Sequence, residues 1–176
     1  MKRQIIFFAL IVMFFLLFIA CNKKEGSKII SGGVELYLLE SYETIGNTFQ
    51  INESTVITKK SPLINYSNFI FYDLRNHVFK ISDNAKQSIQ NIEFSVHGLA
   101  FAIKADNNLI YTGYFLPSYS SMSCNWIVID PTMLSLGNEL KVELGYPGQI
   151  EGTIIPDKRN DKQILDIFKR DNKLIE

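Results

Sequence analysis

Apolar positions change their spacing several times along this chain, and each change marks an element. A positive start, Lys2-Arg3, leads into an unbroken apolar run from Ile5 to Ala20 that stops at Cys21. Residues 22–33 are polar and carry three glycines, the composition of a short flexible tether. Val34 to Glu40 alternates enough for a strand. Phe49, Ile51, Val56 and Ile57 predict one or two short strands before Ser61-Pro62 breaks the chain. Asn68 to Tyr72 and Val78 to Ile81 flank Asp73-Leu74-Arg75-Asn76, the build of a hairpin. Ser82 is a good N-cap, and Asp83 suits the positive end of a helix dipole. Ala85, Ile89 and Ile92 then fall at i, i+4 and i+7 on one helical face. Gly98 ends that pattern. Leu99 to Ala105 is almost wholly apolar, as in a strand buried on both faces. Asn107-Asn108 joins it to Leu109–Phe115, and Asn tolerates the positive φ that a tight hairpin requires.

The second half continues in strands. Pro117 to Ser123 is a Ser- and Tyr-rich loop, and Trp126 to Asp130 is a short apolar strand. Asp130-Pro131 reads as N-cap and first residue of a short helix, with Gly137 as its left-handed stop. Leu140, Val142 and Leu144 alternate with charged residues, and Gly145-Tyr146-Pro147-Gly148 is a turn. Ile150 to Ile155 predicts an edge strand ended by Pro156. Asn160 or Asp161 caps a last helix with an apolar face of Ile164, Leu165 and Phe168. The expected architecture is a single α+β domain over residues 34–176, an antiparallel sheet with two or three helices packed on one face. Residues 1–20 and 21–33 precede it as signal and tether.

The opening segment identifies a compartment. A basic start, an apolar run of 16 residues and a small residue before Cys form a bacterial secretory signal. The run is shorter than the roughly 20 residues needed to span a bilayer. Phe18-Ile19-Ala20-Cys21 resembles the lipobox of bacterial lipoproteins, with Phe18 where an aliphatic residue is usual. The resemblance implies cleavage before Cys21, acylation of its thiol and a membrane anchored through that lipid. Trimming removes Lys2 and Arg3 from the 18 basic residues, leaving 16 against 18 acidic ones. That near-neutral balance gives no basic footprint for nucleic acid. It also leaves Cys124 as the single thiol, so an intrachain disulfide is excluded once Cys21 is lipidated.

A second likeness covers residues 63–116. Phe79-Lys80-Ile81-Ser82-Asp83-Asn84-Ala85-Lys86 reads as a strand entering a helix. Gly98-Leu99-Ala100-Phe101-Ala102-Ile103-Lys104-Ala105-Asp106-Asn107-Asn108-Leu109-Ile110-Tyr111 follows as an apolar hairpin. The succession is similar to the periplasmic head subdomain of the SecD translocase subunit. It implies an α+β fold and no site residue, and the translocase's membrane helices have no counterpart here.

The chemistry-bearing residues are few. Cys124 with His97 has the composition of a nucleophile and base. Cys124 with Met122 and a histidine would suit copper(I), a soft ion. Neither sits in a recognisable spacing, so no catalytic residue, metal ligand or cofactor is assigned. A small, buried, structural Cys124 is the simpler reading. His97 reads as a structural histidine, and the scattered Lys and Arg as solvated surface. Aromatic residues carry the functional lean. Tyr111, Tyr114, Phe115, Tyr119 and Trp126 surround the Ser-rich loop, and exposed Tyr and Trp suit partner contact. Tyr114, Tyr119 and Trp126 are the candidate binding residues, with Tyr114 and Tyr119 expected to face solvent. The sequence therefore favours a lipid-anchored envelope protein acting as a non-enzymatic binding or assembly module, with an envelope protein as partner. The alternative is a small periplasmic enzyme or copper/zinc-handling protein centred on Cys124.

Overall fold

The computed structural model describes residues 32–176. The signal over 1–20, the lipidation site Cys21 and the tether to residue 31 lie outside the described residues. Nine strands form one sheet: Val34–Ser41 (β1), Ile57–Thr58 (β2), Phe69–Asp73 (β3), Val78–Ile81 (β4), Leu99–Ala105 (β5), Asn108–Phe115 (β6), Cys124–Ile129 (β7), Glu139–Tyr146 (β8) and Leu174–Ile175 (β9). Among the described residues two short α-helices join them, Asp83–Gln90 (α1) and Lys162–Arg170 (α2). The strand order is β2-β1-β5-β6-β7-β8-β4-β3-β9.

This corrects the expected fold class. The sheet is large and mixed rather than antiparallel with helices along one face. β6 and β7 run parallel through Tyr114↔Val128 and Phe115↔Ile129, and β3 and β9 run parallel through Tyr72↔Leu174. Local patterns cannot show this, because alternation gives a strand's faces but not its direction beside a distant neighbour. The expected third helix is a five-residue 3-10 turn, Pro131–Ser135, capped by Asp130 as foreseen. Leu136 ends it in right-handed conformation, so Gly137 is not a left-handed stop. Residues 150–155 form no strand: Gly152 takes a left-handed φ of 79°, and Ile154 is exposed to solvent. Of the 49–58 segment only Ile57–Thr58 is a strand, with Ile51 in a single bridge to Thr44.

Where one signal is local, the elements form as the pattern indicates. The Ser82 hydroxyl accepts from the Ala85 N–H and caps α1, while Ala85 and Ile89 are its buried face. β5 and β6 pair along their length. Their turn is Asp106-Asn107, at φ 50° and 68°, one residue earlier than the sequence placed it, because Asn108 already pairs with Ala105. Gly113 lets this sheet close up: a Cβ there would lie 2.6 Å from the Phe101 ring and 2.7 Å from the Ile127 carbonyl oxygen.

β8 joins the two halves of the sheet. Its first residues pair with β4 and its later ones with β7. Val34, Leu36, Phe101, Ile103, Phe115, Val142, Leu140 and Phe79 are buried along the sheet, and α2 contributes Ile164, Ile167 and Phe168 to the same core. The Phe168 ring meets Tyr66, Phe69, Tyr72 and Phe79 at centroid separations of 5.7–6.1 Å. These separations suit attractive aromatic pairs.

Candidate functional site

Strand direction divides the domain into two ends. The chain enters through Gly32 and Gly33, whose carbonyls accept from Arg170 Nη2 (3.2 Å) and the Asp106 N–H (3.0 Å). Val34 then pairs with Ala105, and β5 runs back to Leu99. Seven residues of strand span about 20 Å, so Gly98 and the 116–123 loop cap the end opposite the entry.

That cap is latched by side chains. Tyr119 donates its hydroxyl to the Phe94 carbonyl (3.1 Å), and Ser120 donates to the Val96 carbonyl (2.6 Å). The Ser118 N–H donates to Asp130 Oδ1 (3.2 Å), and Tyr146 donates to the Ser118 carbonyl (3.1 Å). His97 Nδ1 lies 3.2 Å from Met122 Sδ. Tyr119 is 63% exposed and Val96 46%, with His97 exposed beside them. His97 is thus a surface residue, not the structural one expected.

The other candidate residues fall elsewhere. Tyr114 is buried at 4% exposure, edge-on to Tyr42 and Phe49, so its expected solvent-facing position is overturned. The segment around Tyr42 and Phe49 folds over this side of β6, and nothing local in the sequence signals that lid. Trp126 is also buried and donates its indole N–H to Thr112 Oγ1 (3.1 Å). Cys124 is fully buried, and burial pushes its thiol up to about 11. A thiol so placed is neither accessible nor ionised at neutral pH. Among the described residues no group of three or more His, Cys, Asp and Glu is placed to hold a metal.

The structure also assembles a polar cluster that the sequence did not indicate. Residues 156–160 form a strap between β8 and α2. Within it Arg159 grips Asp157 with two nitrogens (2.9 and 2.7 Å) and donates Nη1 to the Val142 carbonyl (3.0 Å). Asn160 donates to the Leu74 carbonyl, and the Tyr72 hydroxyl lies 2.9 Å from both Asn160 Oδ1 and the Arg159 carbonyl. The Arg159 side chain is 14% exposed, against the expectation of a solvated surface charge. Its guanidinium holds Asp157 down to about 2. Burial, then the Arg159 charge, lowers His77, while burial raises Tyr72 and Tyr111. Among the described residues two buried side-chain polar atoms have no partner, His77 Nδ1 and the Tyr111 hydroxyl. Charges of this same strap act on both. His77 also holds a left-handed φ of 54°, an uncommon state for a non-glycine residue. Two cavities flank the strap. One of about 350 Å³ is lined by Arg75, His77, Lys141, Glu143 and Arg159. The other, about 200 Å³, is lined by Tyr111, Trp126, Ile51 and Lys158, whose ammonium pairs with Glu53 at 2.8 Å.

Comparison with known proteins gives no matching family model, no matching curated protein and no matching solved structure. The cap presents exposed groups, and the strap gathers polar groups that the fold alone does not explain.

Proposed function

We propose that this protein is an exported lipoprotein, anchored through Cys21, that works as a non-enzymatic binding or assembly module in the cell envelope. The observation that carries the reading is the position of the latched cap. It lies opposite the chain entry and presents Tyr119, Val96 and His97 to solvent. The part of the 21–33 tether that precedes Gly32, residues 21–31, could reach at most about 40 Å if fully extended. A domain held this way offers its far end to a neighbouring envelope protein more readily than to its own membrane. The buried thiol supports this reading over the alternative, since an enzyme or metal centre at Cys124 requires access that the fold withholds.

Two experiments test the parts separately. Intact-mass measurement of the membrane form should show trimming to Cys21 plus an acyl mass, both lost in Cys21→Ser. The same trimmed, unlipidated species from both proteins would refute the anchor. For the cap, affinity capture from native membranes should recover a defined partner with the wild type and not with Tyr119→Ala. Equal recovery by both would refute the cap as the contact surface.

A further inference from the structure

The cavity beside the strap carries an inference independent of the cap. It measures about 350 Å³ and draws basic groups from three parts of the chain. Arg75 comes from the β3–β4 turn, Lys141 from β8 and Arg159 from the strap, and His77, Gly145 and Gly148 also line it. Opposing charge is largely committed. Arg159 neutralises Asp157, and Lys141 Nζ lies 2.8 Å from Glu143. Asp73 accepts from the N–H groups of Arg75 and Asn76 and from the Asn76 amide. Arg75 has no ion-pair partner among the described residues, and it is exposed over the cavity mouth.

We propose that this cavity binds a tetrahedral dianion, the chemistry of a phosphate group, between Arg75, His77, Lys141 and Arg159. Arg75 brings an unpaired guanidinium to the cavity, while Lys141 and Arg159 line it with the N–H groups that their carboxylate partners leave free, a donor set suited to a group with several anionic oxygens. The bound anion would favour the charged form of the half-buried imidazole. Without an anion, burial and then the Arg159 charge lower the affinity of His77 for a proton. The other groups facing it are Asp73, Asp157, Asn160, Lys141 and Glu143. A dianion offsets the Arg159 repulsion and raises the His77 affinity for a proton. By linkage, binding takes up a proton and tightens as pH falls.

Sulfate is the first probe, because it stays dianionic from pH 6 to 8. Amide shifts of the intact exported domain, residues 22–176, would be followed by NMR at constant ionic strength. Saturable shifts at His77, Gly145 and Gly148 are expected, tighter at pH 6 than at pH 8. Arg75→Ala, at an exposed turn position, should weaken binding about fivefold or more. His77→Asn keeps a residue type that tolerates positive φ and should abolish the pH dependence. Shifts that fail to saturate, or that are unchanged in Arg75→Ala, would overturn the proposal. Two further arms separate the source of the phosphate. Glycerol 3-phosphate competing with sulfate indicates a soluble ligand, whereas binding to phosphatidate-containing vesicles lost in Arg75→Ala indicates a lipid headgroup. Failure of both arms would overturn the assignment to phosphate.

Discussion

Tyr111 offers a test in which deleting a polar atom should strengthen the fold. Its ring lies in the core at 1% exposure, and its hydroxyl has no hydrogen-bond partner among the described residues. A buried, unsatisfied polar group forgoes its bonds to water and costs about 1–3 kcal/mol. Tyr111→Phe removes that penalty and keeps the ring. The variant should gain about 1–3 kcal/mol by this count. With a urea slope near 2 kcal/mol per molar, the midpoint should rise by about 0.5–1.5 M. The single tryptophan, Trp126, is buried and supplies the unfolding signal by its emission shift. Tyr72→Phe is the matched control. Its hydroxyl lies within bonding distance of Asn160 and the Arg159 carbonyl, so it should lose about 0.5–1.5 kcal/mol. Equal slopes in all three proteins are required for the comparison. A Tyr111→Phe variant less stable than wild type by 1 kcal/mol or more would refute the reasoning. It would mean that the hydroxyl has a partner, such as water in the adjoining cavity of about 200 Å³.

Further outcomes follow from the same geometry. Tyr114→Ala should cost about 3–5 kcal/mol, as for a large buried aromatic, whereas Tyr119→Ala, which removes one exposed latch bond to the Phe94 carbonyl, should cost no more than about 0.5–1.5 kcal/mol; chemical denaturation reads both. Ser82→Ala removes the α1 cap and the Ser82 Oγ–Asn68 bond (2.7 Å), and should cost about 1 kcal/mol in the same assay. The Asp157 and Asp171 carboxyls are held down to about 2 in the folded state, so their contribution is present above the ordinary carboxylate range and lost as pH falls from about 5 towards 2. Asp157→Asn should therefore flatten the acid limb of a stability–pH curve, and an unchanged limb would contradict the ion pair's role. The Cys124 thiol should label at the global unfolding rate in native buffer; rapid labelling at pH 7 would contradict its burial.

What the sequence made legible was local. Ser82, Asp130 and Asp161 declare helix starts because an N-cap acts within three residues, and each accepts from a nearby N–H in the structure. The apolar run 99–105 declares a strand covered on both sides, and its burial follows. Strand direction was not legible. The β6–β7 pairing depends on the path of the 116–123 loop, and the β3–β9 pairing joins residues about a hundred positions apart. The same limit hid the strap. Tyr72 meets Arg159 and Asn160 across 87 and 88 positions, so the Asp157-Lys158-Arg159-Asn160 run reads as an ordinary polar turn until the core closes on it. The cap residues divided for a related reason. Tyr114 and Tyr119 have similar neighbours in sequence, but Tyr114 lies on a strand face that Tyr42 and Phe49 cover, while Tyr119 stands in the loop.

The central proposal is that the 116–123 cap, at the end of the described domain opposite Gly32 and Gly33, is the surface that contacts an envelope protein. A photo-crosslinking residue placed at position 119 of the membrane-anchored protein tests it directly, with the same residue at position 107, in the turn at the entry end, as the comparison. The account predicts a discrete protein adduct from position 119, absent from position 107 and lost in Cys21→Ser. Adducts from both positions alike, or from neither, would contradict it.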